Sequence, residues 1–164
     1  MIIRTASAVS CFVAVMAAAS FANAQSFSPA GAFEIVDSEF IVQQTQELTC
    51  HIDGFAGSVP TGGANAVIDV SPPNTLLDGD SLCDNVGLNN SNWTITPTGG
   101  TNVTVTGISA VSLLGTCAGT VTGTYVGNTL TIPRQGIAGT VFGFPMTCYI
   151  EGFATTGNSA ITLS

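Results

Sequence analysis

Leu48-Thr49-Cys50-His51-Ile52-Asp53-Gly54-Phe55-Ala56 returns as Met146-Thr147-Cys148-Tyr149-Ile150-Glu151-Gly152-Phe153-Ala154, with six of nine positions identical. At a period of two, Leu48, Cys50 and Ile52 share one face of a strand, as do Met146, Cys148 and Ile150. Each copy reads as the same strand, with a cysteine on its apolar side and a Gly-Phe exit. The copies are 98 residues apart and nothing between them recurs at that period, so a duplicated domain is not the reading. Two equivalent strands of one sheet system are.

The surrounding sequence has the same character. Asn102-Val103-Thr104-Val105-Thr106 alternates with its valines facing inward, and Gly119–Val126 and Thr129–Ile132 alternate again. Gly127-Asn128 between the last two is a two-residue hairpin signal, and Gly99-Gly100 plays the same part after Trp93–Thr98. Phe33–Val36, Glu39–Gln43, Ala64–Ser71 and Ala160–Leu163 are further strand candidates, rich in the branched side chains that suit a pleated surface. No window carries helical periodicity over three turns free of Gly or Pro, and Asn74–Val86 reads as a long loop carrying Cys83. Short strands punctuated by Gly, Pro and Asn predict an all-β, single-domain antiparallel β-sandwich or barrel-like fold.

The first residues read as a leader. Arg4 precedes an apolar run from Ala6 to Phe21, and Ala22-Asn23-Ala24 offers small residues where a signal peptidase reads. The run is shorter than the roughly 20 apolar residues of a membrane span. The expectation is a signal peptide over residues 1–24, cleaved after Ala24, and one β domain over 25–164, with 25–31 as an amino-terminal arm or edge strand. The protein is then expected to be secreted or held at the cell surface, with no membrane span. Cleavage removes Arg4 and leaves Arg134 alone against ten acidic residues, a net charge of −9, and the chain has no lysine. Such a surface repels phosphate, which argues against nucleic acid and anionic lipid headgroups as partners.

Cys11 falls in the leader; Cys50, Cys83, Cys117 and Cys148 remain. Four cysteines in an exported chain predict two disulfides with three possible connectivities. The two like strands favour Cys50–Cys148, which leaves Cys83–Cys117. A metal site would need close spacing such as C-x₂-C, which is absent.

Few residues invite chemistry. His51 is the only histidine, and Tyr149 fills its place in the second copy. A triad would need a serine and an acid beside it, and no G-x-S-x-G elbow is present. His51 is therefore read as a surface ring on a strand. Asp78, Asp80 and Asp84 crowd one turn, a weak calcium candidate, but no Glu stands at the twelfth position of an EF-hand loop. A solvated acidic turn is preferred. Trp93 opens a strand and is read first as a core anchor, second as a stacking platform. Phe55 and Phe153 leave their strands at matching points, while Phe142 and Phe144 bracket Gly143. Exposed together, such rings mark a binding or assembly surface; Trp93, Phe55 and Phe153 are the candidate ligand surface.

The two T-C-x-I-x-G copies, the Leu82-Cys83 to Trp93 block, Gly115-Thr116-Cys117-Ala118-Gly119-Thr120-Val121-Thr122-Gly123 and the early Ser28-Pro29-Ala30-Gly31 occur in an order that resembles the small exported bacterial proteins called alkane oxidation activator, or PraB-like. The resemblance implies an exported, non-catalytic protein that aids growth on hydrocarbons, or a related matrix and biofilm role, with structural cysteines and no cofactor. The expected function is a secreted surface or matrix protein, self-assembling as a homo-oligomer or fibre, or surface-active at an apolar interface. The alternative is a carbohydrate- or calcium-dependent adhesin, whose partner would be a polysaccharide.

Overall fold

The computed structural model describes residues 25–70, 77–88, 92–157 and 161–164; the expected leader lies outside them. Thirteen strands follow in order: β1 (Phe27–Ser28), β2 (Gly31–Gln43), β3 (Glu47–His51), β4 (Ala56–Val59), β5 (Ala66–Ile68), β6 (Asp78–Gly79), β7 (Gly87–Leu88), β8 (Trp93–Gly99), β9 (Asn102–Val111), β10 (Gly115–Val126), β11 (Thr129–Val141), β12 (Phe144–Thr156) and β13 (Thr162–Leu163). A single 3₁₀ turn, Cys83–Asn85, stands between β6 and β7. The two runs Phe33–Val36 and Glu39–Gln43 are one long strand, β2. Thr129–Ile132 is the start of a strand that continues to Val141.

The strands close into a barrel. Along the sheet the order is β12-β11-β10-β9-β8-β5-β4-β2, and β2 pairs back onto β12. The seam runs from Gln43 opposite Tyr149 to Ile35 opposite Thr156. On its other edge β2 carries β3, with Phe40 opposite Cys50, and then β4, with Phe33 opposite Gly57. Full closure leaves no long sheet edge unpaired.

Burial follows the alternation that the sequence shows. Val103 and Val105 of β9, Cys117, Val121 and Tyr125 of β10, Leu130 and Ile132 of β11, and Cys148, Ile150 and Ala154 of β12 all point inward and are buried. The register slips between Ile132 and Gln135, at the one place where β11 carries a proline, Pro133. A proline cannot donate to the ladder, so it sits where the pairing is interrupted.

One end of the barrel is plugged. Phe27 of β1 packs edge-on against Tyr125, ring centroids 5.2 Å apart. The Tyr125 hydroxyl donates to the Ile161 carbonyl oxygen at 3.1 Å. β1 pairs with β13, Phe27 opposite Leu163, so residues 27–28 of the expected arm are tied down on their own chain as a short edge strand.

The cysteine pairing corrects the sequence expectation. The bonds are Cys50–Cys83 and Cys117–Cys148, with Cα–Cα separations of 5.7 and 6.0 Å. The repeated strands β3 and β12 do flank the same strand, β2, but at staggered heights. Cys50 lies opposite Phe40, whereas Tyr149 lies opposite Gln43, which puts Cys148 about four residues further along β2. At about 3.3 Å per residue and two strand spacings of about 4.8 Å, Cys50 and Cys148 are far beyond disulfide reach. Each bond instead spans a neighbour. Cys117 on β10 and Cys148 on β12 join across the inner face of β11, and Cys50–Cys83 clips the 3₁₀ turn onto β3.

Candidate apolar binding site at the open end of the barrel

The other end of the barrel is open and apolar. Three turns ring it: residues 44–46 between β2 and β3, 112–114 between β9 and β10, and 142–143 between β11 and β12. The 3₁₀ turn completes the ring. It is carried there by β6, which pairs with β3, and by β7, which pairs with the end of β9. The 44–46 and 112–114 turns and the 3₁₀ turn enclose a cavity of about 250 Å³ walled by Val42 and Leu48, by Leu82 and Val86, and by Ala110, Leu113, Leu114 and Cys117. Behind Val42, Ala110 and Cys117 a second void of about 20 Å³ continues into the core between Phe40, Ile108, Trp93 and Ile150.

The rim is as apolar as the wall. Among the described residues nine large hydrophobic side chains are exposed, and six of them stand at this end: Leu82, Val111, Leu113, Leu114, Phe142 and Phe144. Leu113, Phe142 and Phe144 are 86, 74 and 75 % exposed. The two hairpin tips are locked together, since the Phe142 amide donates to the Leu114 carbonyl oxygen at 2.8 Å. Gln44 ties in the third turn. Its Nε2 donates to the Thr140 carbonyl oxygen at 2.8 Å, and its Oε1 accepts from the Ser112 hydroxyl at 2.9 Å.

Phe142 holds a backbone conformation that side chains rarely adopt. Its φ is +49°, and Gly143 follows at +82°, the left-handed pair a tight two-residue hairpin demands. Asn or Gly takes the first of these positions readily, whereas another residue costs roughly 1–2 kcal/mol. Here the strained residue is an aromatic ring turned to solvent.

The residues singled out from sequence distribute differently. Trp93 is buried, its ring 5.5 Å from Phe40 in an edge arrangement, and its indole N–H has no hydrogen-bond partner among the described residues. Phe55 is also buried and Phe153 half-buried, so these three do not form an exposed surface. The ring pair Phe142 and Phe144 does. Leu113-Leu114 was the signal not used: two leucines in a turn, Ser112 to Gly115, have no interior to fill.

Ser38, His51 and Asp53 do come together, but not as a triad. The Ser38 hydroxyl donates to Asp53 Oδ1 at 2.6 Å and accepts from the Ile52 amide at 2.8 Å. His51 Nδ1 donates to the Ser38 carbonyl oxygen, not to its hydroxyl. The serine is buried, its hydroxyl is committed to Asp53 and the Ile52 amide, and the His51 ring faces its carbonyl oxygen, so the imidazole does not stand where it could take the hydroxyl proton. In the acidic turn, Asp80 Oδ2 accepts from the Thr49 amide and Asp78 Oδ1 from the Gly79 amide, both at 2.8 Å. Among the described residues no three His, Cys, Asp or Glu side chains are grouped to hold a metal ion.

Electrostatics concentrate on one cation. Arg134 bonds Glu151 at 2.8 Å and Glu47 at 3.5 Å, donates to Gln43 Oε1, and lies 5.0 Å from the centre of the Tyr149 ring. The Glu151 hydrogen bond, ahead of the attraction of both carboxylates, holds its pKa above the ordinary value.

The whole chain, residues 1–164, matches the family described as alkane oxidation protein activator PraA/PraB-like. The chain belongs to that family. Neither a curated protein nor a solved structure matches it. No helix among the described residues is long and apolar enough to cross a membrane.

Proposed function

We propose that this chain is an exported, non-catalytic protein that engages hydrocarbon through the open end of its barrel, and so assists growth on alkanes from outside the cell. The observation that carries this reading is the gathering, among the described residues, of six of the nine exposed large hydrophobic side chains at one end of the barrel, where three of them, Leu82, Leu113 and Leu114, line an apolar cavity. Soluble proteins rarely leave so contiguous an apolar surface unless something binds there. The strained Phe142 supports it: backbone strain retained under an exposed ring points to a use for that ring. Export is supported by the leader pattern and by two disulfides, which persist in oxidising compartments. Self-association or a matrix role would draw on the same apolar end, because ring closure leaves only short strands such as β6 and β7 with free edges.

Adsorption of residues 25–164 at a hexadecane–water interface tests the reading. The native chain should lower interfacial tension, and the triple variant Leu113→Ser, Phe142→Asn, Phe144→Ser should lose most of that effect while keeping its disulfides and a thermal midpoint no lower than the native one. Equal adsorption by the two proteins would overturn it. Sedimentation of both proteins in buffer shows whether the same side chains join copies of the chain.

A further inference from the structure

We propose that the cavity inside the rim takes a single uncharged, unbranched alkyl chain, methyl end inward, and rejects the corresponding carboxylate. This rests on the reading that the open end engages hydrocarbon, and it adds a ligand class and a head-group preference.

The inner end of the cavity admits only a methyl. Its floor is Val42, Ala110 and Cys117, and the void behind them, about 20 Å³, is roughly one water-sized sphere. Phe40, Ile108 and Ile150 wall that void, so a polar group driven inward would lose its hydration with little in return. With only a void of about 20 Å³ behind the floor that the two share, the inner end suits a slim chain end better than a branched or ring-shaped one.

The mouth decides the head group. Of its polar side chains, Gln44 and Ser112 are committed to each other and to the backbone of β11 and β10, and the others, Thr45, Gln46 and Asn85, carry no charge to pair with a carboxylate. Glu47 stands between the lining residues Gln46 and Leu48, and Asp84 directly precedes the lining residue Asn85. Asp80 lies nearby on the turn that leads into Leu82. The only cation among the described residues, Arg134, is held by Glu47 and Glu151. A carboxylate at the mouth would have acidic residues as its sequence neighbours and would find no free cation among the described residues. An alcohol or an alkane meets no such penalty. If the hydrocarbon is oxidised at its end, the pocket therefore holds the starting material or a neutral intermediate and releases the terminal acid.

Calorimetric titration of the disulfide-bonded chain with 1-alkanols from hexanol to dodecanol, and with decanoate at pH 8, tests this; emission of the single tryptophan, Trp93 beside the inner void, is the second readout. Alkanol affinity should rise roughly fourfold per added methylene, the equivalent of about 0.8 kcal/mol of buried CH₂, and then level off as the cavity fills. Decanoate should bind at least tenfold more weakly than decanol. The double variant Glu47→Gln, Asp84→Asn should narrow that gap. Ala110→Leu, which fills the floor, should abolish decanol binding, and Val42→Leu serves if that variant does not fold. Equal binding of decanol and decanoate overturns the head-group preference. No binding of either by a native chain that still adsorbs to hexadecane overturns the pocket while leaving the proposed function standing. Decanol binding without adsorption does the reverse.

Discussion

The amide of Phe142 and the carbonyl oxygen of Leu114 are joined at 2.8 Å, a single hydrogen bond that sets two hairpin tips side by side. It brings Leu113, Leu114, Phe142 and Phe144 into one patch, although the two tips are nearly thirty residues apart. The patch is thus a property of the β10–β11 pairing, with Gly115 opposite Val141, and not of any one turn.

Phe142 should trade stability for use. Replacing it with Asn relieves the left-handed strain and should raise stability by about 1 kcal/mol in urea unfolding. The same variant should adsorb less at an oil–water interface. Stability unchanged or lowered would mean that the ring packs within the fold after all.

The disulfide assignment has a direct chemical check. Peptide mapping without reduction should recover Cys50 linked to Cys83 and Cys117 linked to Cys148. The two bonds close loops of 33 and 31 residues, so removing either pair by serine substitution should cost about 3.5–4 kcal/mol in the chain-entropy model. A peptide joining Cys50 to Cys148 would contradict the staggered register of β3 and β12.

Gly139 is a glycine because the Cys117–Cys148 bridge passes over it. A methyl group there would run into Cys148 Sγ and would stand 2.8 Å from the Thr116 carbonyl oxygen. Gly139→Ala should therefore destabilise by about 1–3 kcal/mol, as overpacking of a closed core does. A smaller cost of Gly139→Ala in a background where Cys117 and Cys148 are both alanine would show that the sulfur is the obstacle.

Tyr125 makes the plugged end sensitive to alkali. Burial raises its pKa above the ordinary 10.0, partly offset by the Thr156 hydrogen bond. The folded state thus holds this proton more tightly than the unfolded chain does. Its contribution is complete below pH 10 and falls away as the pH climbs through the raised value. Tyr125→Phe should cost about 0.5–1.5 kcal/mol at pH 8 through the lost bond to Ile161. It should also show a shallower fall in thermal midpoint between pH 9.5 and 11 than the native chain. Parallel curves would remove Tyr125 from the alkaline transition.

The local periodicity of the chain told more than its long-range pairing did. Val103, Val105, Leu130 and Ile132 lie inward as the alternation implies, because a strand with one buried face must write that face into every second residue. The likeness of β3 and β12 was legible too, and both do pack against β2. Their stagger was not, since register along β2 is set by turn lengths and bulges elsewhere and leaves no mark on the repeat. The rim was half legible. Phe142 and Phe144 stood out as aromatics around a glycine, while Leu113-Leu114 passed as ordinary apolar content until the fold denied them an interior. The Ser38, His51 and Asp53 cluster shows the opposite case, in which suitable residues meet but their hydrogen bonds run in the wrong sense for catalysis.

Arg134 is the last basic residue of the chain, and it sits in β11 with two carboxylates and an aromatic ring around it. A protease that cuts after Lys or Arg has one bond to attack between residues 25 and 164, and that bond lies in a paired strand of a closed barrel. Proteases of the trypsin type would find little purchase on this protein. Reagents that seek primary amines would find no lysine at all.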